Sequence, residues 1–172
     1  WAVRTKVIEG VDMPYIFADD KILTMAGPAW MQAATAAQIE QMRLLLNQGL
    51  DSGGLGIGVL LDYMTEAISE AELSMLFEVA SERDVPLFVH VRRGYTGDPA
   101  GLVEVIDLAL ETGAPLFVCH ITHNAMGGIG DWLAMSDEAN QGGANITTET
   151  LSYAAGGTSI SAEVFRRRDW QA

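Results

Sequence analysis

The sequence predicts an α/β fold, a (β/α) barrel of the TIM type present as an incomplete barrel of about five βα units, and three observations carry that prediction. The first is a steady repeat. From Leu55 onward strands and helices alternate, with strand ends near Val59, at His90, at His120 and at Glu149, spaced 31, 30 and 29 residues apart. An eight-unit barrel of roughly 250 residues allots about 31 to each unit. The second is the stretch from Pro86 to Asn124, where two apolar runs, PLFVH and PLFVCH, each open on proline and close on a histidine. A helix joins them: Gly-Asp-Pro at 97–99 supplies its start, and Leu102, Val105, Ile106, Ala109 and Leu110 recur at helical spacing up to Gly113. This is a βαβ unit, so its strands are parallel neighbours. The third is where the glycines fall. Gly53, Gly54, Gly56 and Gly58 come before and within a strand, whereas an open nucleotide-binding sheet places its glycines after one.

The remaining elements follow in order. Residues 3–9 (VRTKVIE) alternate as a strand does, and Gly10 to Pro14 break it. Thr35 caps a helix with Gln38 three residues on, and Ile39, Met42, Leu45, Leu46 and Leu50 form its apolar stripe. A short strand lies near Leu55–Leu60. Ser69 opens the next helix with Glu72 at the capping-box position and Leu73, Leu76, Phe77 and Ala80 on the buried side. Past the two histidine strands come a helix from about Gly130 to Asn140, a strand at 144–149 and a Gly-rich tail that ends near the basic cluster Arg166–Arg168.

Composition narrows the class. With 172 residues, 49% hydrophobic and 19% charged, the chain has material for one domain with a sizeable core. A formal charge of −13 with only 10 Lys and Arg argues against nucleic acid as a partner, since a phosphate backbone needs a basic face. No apolar run approaches the roughly 20 residues of a membrane span, so no membrane partner is expected. The single cysteine, Cys119, leaves no internal disulfide and suits a reducing compartment, so a cytoplasmic location is expected. The chain is too short to close eight units, and it opens on Trp1 rather than Met; a segment of a larger barrel is expected, with open edge strands at both ends.

In such barrels chemistry sits at the carboxyl ends of the strands, where His90, His120 and Glu149 fall. Two neutral imidazoles converging from adjacent strands suit zinc or a similar ion, although a catalytic zinc usually has three protein ligands. A hydrogen-bonded histidine capping each strand end is the alternative. Strand alternation puts Leu116, Val118 and His120 on one face and Phe88, His90 and Arg92 on one face, and turns Cys119 away from the histidines toward the helices. Arg92, just past a strand end, is placed to clamp a carboxylate; Arg93 turns outward. His123 and Asn124 follow in a loop as polar candidates near the site or near a substrate. The MGGIG run at 126–130 offers backbone N–H groups to an anion ahead of a helix. Glu149 is open to three roles: ligand, base or partner of an arginine. Met31, Met42, Met64 and Met75 read as core filling.

Several motifs together resemble a known family: AWMQAAT at 29–35, GLGIGVLLDY at 54–63, SEAELSMLF at 69–77, FVHVRRG at 88–94, FVCHITHNAMG at 117–127 and TTETLSYAAGGTSISAEVF at 147–165. In this order, over most of the chain, they resemble the N-acyl-D-amino-acid deacylases (D-aminoacylases) of the amidohydrolase superfamily, and most closely the N-acyl-D-glutamate deacylase-like members. The resemblance implies a metal-dependent hydrolase barrel that cleaves the amide of a small N-acyl-D-amino acid, with one or two Zn2+ ions. It implies that His90 and His120 are metal ligands and that Arg92, Tyr153 and Ser159 lie near the substrate and help to hold its carboxylate. It also makes residues 1–172 the central part of a (β/α)8 amidohydrolase catalytic domain, truncated at both ends. The superfamily's His-x-His pair on an early strand and its catalytic Asp on a late one have no counterpart here, so both are expected outside this chain and no catalytic residue is assigned within it. Where many D-aminoacylases show Ser-His-His-Lys, this chain has Cys119-His120-Ile121-Thr122, so the lysine is missing. Three alternatives stand beside this reading: a cyclic-amide hydrolase of the dihydroorotase or hydantoinase kind, a metal-free phosphate-binding barrel using the MGGIG loop, and a non-catalytic barrel remnant.

Overall fold

A computed structural model describes residues 2–10, 28–62, 67–92 and 97–153. Its elements are α1 (Ala2–Glu9), α2 (Pro28–Met31), α3 (Ala36–Asp51), β1 (Ile57–Leu60), α4 (Glu70–Arg83), β2 (Leu87–His90), α5 (Ala100–Thr112), β3 (Leu116–Val118), α6 (Ile121–Ala125), a 3-10 turn at Met126–Gly128, α7 (Ile129–Gln141) and β4 (Ile146–Thr148). The four strands form one sheet in the order β1-β2-β3-β4, every pair parallel. This is a partial TIM-barrel-like α/β fold, as the strand repeat predicts.

Parallel pairing forces each connection back across the sheet, and α4, α5 and α7 make those crossings on one side. Ile57, Val59, Leu87, Val89, Leu116, Val118 and Ile146 point into that helical layer and are buried. They meet Leu73 and Phe77 of α4, Leu102, Val105 and Ala109 of α5, and Trp132 of α7, all but inaccessible to solvent. Each large side chain so buried stabilises the layer by about 1.5–3 kcal/mol. Met42 and Met75 belong to this core, whereas Met31 is 44% exposed and Met64 lies outside the described residues. Leu110 also departs from expectation, lying 44% exposed at the outer end of α5.

Local chemistry accounts for the helix ends. Thr35 and Gln38 form a complete capping box. Ser69 accepts from the Glu72 backbone N–H, but the Glu72 carboxylate turns elsewhere, so the second half of that expected box is absent. Asp98 accepts from the Ala100 N–H at 3.0 Å ahead of α5. At the first turn of α5 a Cβ on Gly101 would stand 2.1 Å from the Arg92 carbonyl oxygen, so only glycine lets the helix press this closely against the end of β2.

The expected strand at 3–9 is instead the helix α1. Neighbouring Arg4 and Thr5 are both buried, with Val3, Val7 and Ile8 packed against the core, and a strand would have sent adjacent side chains to opposite faces. Arg4 is the reason. Its guanidinium reaches the Glu72 carboxylate at 2.8 Å and the carbonyl oxygens of Ala29, Gln32 and Ala67, tying α1 to α2, α4 and the approach to α4.

Burial pushes the Glu72 carboxyl above its ordinary range, against the smaller opposing pull of Arg4. The folded state therefore holds this proton more tightly than the unfolded chain does, and stability from it is lost as pH rises through the raised value. Arg4→Met leaves the carboxylate buried without its cation. We expect a loss of about 3–5 kcal/mol near neutral pH, partly recovered in acid as Glu72 takes up a proton, measured by urea denaturation at neutral and at acidic pH. An equal loss at both would mean that no buried charge is at stake. Gly101→Ala, which forces a methyl group onto the Arg92 carbonyl, should cost at least about 1–3 kcal/mol in the same assay.

Candidate functional site

The register of the sheet decides what gathers at its carboxyl edge. Leu60 pairs with His90, and Val89 pairs with Val118. Phe88 stands opposite Phe117, so these side chains share the face away from the helices, their ring centroids 5.0 Å apart. The faces differ from the expected grouping. Leu116 and Val118 enter the helical layer, and Cys119, one residue past Val118, lies on the inner face rather than toward the helices. Cys119 lines a cavity of about 470 Å³ together with Leu60, Phe88, His90 and His120.

His120 would follow Val118 into the helical layer if the strand continued. It does not, because the backbone turns left-handed at His120 (φ 39°, ψ 50°) as β3 gives way to α6. That turn swings the ring back across the sheet. His120 Nε2 comes to 2.8 Å from His90 Nδ1, with ring centroids 4.3 Å apart and the planes nearly perpendicular. The two strand-end histidines are thus side by side.

Each is supported from behind. The Glu149 carboxylate accepts from the His120 backbone N–H at 2.9 Å, and the His123 ring lies roughly parallel to that of His120 at 6.2 Å. On the far side of His90, Nε2 lies 3.3 Å from Oδ2 of Asp62, both side chains about 6% exposed. Asp62 has no role in the sequence motifs, although it follows Leu60, the register partner of His90, by two residues.

The other expected site residues scatter. Arg92 donates to Glu104 of α5 at 2.9 Å and to the Ile68 carbonyl at 2.8 Å, so its guanidinium sits above the start of α4 and α5. Tyr153 is 77% exposed. Ser159, Arg93 and Arg166–Arg168 lie outside the described residues. Asn124 is wholly buried in α6, with neither amide atom hydrogen-bonded among the described residues. The MGGIG run forms the 3-10 turn and the first turn of α7, where Asp131 already supplies the negative charge that such a helix end attracts.

The donor set fits part of a metal centre. Two imidazole nitrogens converge on one point, and a carboxylate stands behind one of the rings. No group of three or more His, Cys, Asp or Glu close enough to hold an ion occurs among the described residues, which bring together two imidazoles and no third donor. No described helix is long and apolar enough to cross a membrane.

No protein-family model and no curated protein sequence matches the chain. Solved structures do. An N-acyl-D-glutamate deacylase from Bordetella bronchiseptica, complexed with zinc and a phosphonate inhibitor that mimics the tetrahedral intermediate, is 29% identical over 76% of this chain and 28% of its own, with a TM-score of 0.66. A D-aminoacylase described as defining a subset of amidohydrolases is 21% identical over 77% of this chain and 28% of its own (TM-score 0.63). An L-hydantoinase from Arthrobacter aurescens is 16% identical over 69% and 31% (TM-score 0.50). The chain spans under a third of the length of these structures, and the last two likenesses speak for the fold alone.

Burial first, and the Glu149 charge second, push the Cys119 thiol above its ordinary value. The protein should therefore react slowly with iodoacetamide at pH 7.5, the rate climbing only in alkaline solution, as followed by mass spectrometry. Fast alkylation at neutral pH would contradict the environment described.

Proposed function

We propose that the chain is a member of the amidohydrolase superfamily of TIM barrels, on its likeness to N-acyl-D-glutamate deacylase, and that it is the central sector of a (β/α)8 catalytic domain. Its reaction is the metal-dependent hydrolysis of the amide bond of N-acyl-D-amino acids, N-acyl-D-glutamate among them, releasing a carboxylate and a D-amino acid. The observation that carries this reading is the convergence of His90 Nδ1 and His120 Nε2 at the carboxyl edge of a parallel sheet.

In this reading His90 and His120 hold Zn2+. The ion, when bound, supplies Lewis acidity and a water of lowered pKa. The protein's own groups do the rest. Glu149 fixes the backbone of His120, and with it the direction of the ring. The inner face, where Phe88 is 37% exposed beside Phe117, gives the acyl group an apolar wall and keeps water from it. Arg92, Tyr153 and Ser159 serve the substrate carboxylate, with Arg92 shared with Glu104, so that its charge is partly spent before substrate arrives. No general acid or base is assigned among the described residues. The proton that must reach the leaving amine is carried by a carboxylate elsewhere in the barrel.

Zinc content and hydrolysis test this together. His90→Ala and His120→Ala should each abolish tight zinc binding and amide hydrolysis in the protein; stoichiometric zinc with full activity in either variant would overturn the assignment. A panel of N-acyl-D-amino acids and cyclic amides separates this substrate class from ring opening of the hydantoinase kind. Turnover of the cyclic amides alone would replace it.

A further inference from the structure

We propose that Asp62 is a positioning residue that fixes the tautomer of His90, and so the direction of its lone pair; this rests on the metal-centre reading above. A neutral imidazole has one N–H and one lone pair, and the group facing one nitrogen dictates what the other offers. The Asp62 carboxylate only accepts, and its Oδ2 lies 3.3 Å from His90 Nε2, a charge contact rather than a hydrogen bond of good angle, in a setting where both side chains are about 6% exposed. A proton on Nε2 is favoured beside that oxygen, whereas a lone pair there would face a buried negative charge. Nδ1 is then the lone pair, and Nδ1 is the atom that faces His120.

The 2.8 Å contact between the rings follows from the same choice. With Nδ1 of His90 accepting, His120 Nε2 must donate, so in the metal-free protein a single proton lies between the two rings. That proton occupies the place where both nitrogens point. Binding a cation there requires its removal from His120 Nε2 and no change at His90, which Asp62 has already set. The arrangement is a carboxylate behind a histidine whose other nitrogen faces the site, a pairing that orients the ring and fixes its tautomer.

The geometry of the chain makes Asp62 suited to this role. It follows β1 by two residues, and Leu60 is in register with His90, so the same parallel pairing that aligns the strands delivers the carboxylate to the ring. The Leu61 backbone N–H donates to the His90 carbonyl oxygen at 2.9 Å, pinning the two segments together next to the contact. Asp62 therefore acts on a ligand without itself being one.

The test needs no turnover. Long-range 1H–15N spectra of the zinc-free protein labelled at histidine, at a pH where the rings are neutral, should show His90 protonated at Nε2; protonation at Nδ1 overturns the proposal without any variant. Asp62→Asn keeps the shape but offers an amide N–H to the ring. It should move His90 toward the Nδ1–H form and weaken zinc binding about 10–100-fold by chelator competition, with circular dichroism unchanged. Zinc affinity within about twofold of the parent, with the His90 tautomer retained, overturns the role of Asp62. If His90→Ala loses zinc while Asp62→Asn keeps it, the positioning role falls and the metal centre stands. If the parent protein binds no zinc yet shows an Asp62-dependent Nε2–H form, the metal reading falls and the positioning role stands.

Discussion

Parallel register is the constraint on which the carboxyl edge of this sheet depends. Because Leu60 pairs with His90 and Val89 with Val118, the residues that end successive strands arrive at one level, and whatever follows them meets. Asp62, His90 and His120 come from three separate segments with no local reason to be close. A slip of one residue in β2 would exchange its inner and outer faces and send His90 into the helices. The apolar layer of Val59, Leu87, Val89, Leu116 and Val118 opposes such a slip, since Leu87 and Val89 would then trade buried positions for open ones. Core packing thus sets the geometry of the polar edge.

The sequence made the strand repeat legible, and with it the fold class and the adjacency of the two histidines. Periodicity reports what a sheet buries, and these strands bury one face thoroughly. It failed where one residue leaves the pattern. Alternation assigns His120 to the face of Val118, and only the left-handed backbone at His120 puts it beside His90; histidine enters that region more often than most residues, but too rarely for the sequence to announce the turn. The same failure misdirected Cys119. Asp62 carries no local pattern that marks it, and its meaning appears only when β1 and β2 are set in register.

The misreading of residues 3–9 has another source. VRTKVIE alternates in a way that satisfies a strand, yet the deciding residue is Arg4, whose five donors need acceptors wherever it is buried. Those acceptors come from residues between 25 and 68 positions away. No local window contains that information. A buried arginine of this kind orders several segments at once, because each carbonyl it binds must be delivered by a different piece of chain, and the loss of any one leaves a donor stranded.

The left-handed backbone at His120 carries a consequence for how this sequence would drift. At φ 39° the main chain favours glycine or asparagine, and an imidazole there is held at a conformational cost of about 1–3 kcal/mol. Backbone preference and the needs of the site therefore pull this position toward different amino acids. Under selection for stability alone, position 120 is among the first that should change, and the change would make the protein more robust while erasing the pair of rings. A histidine that persists there across diverging copies would be a record of use.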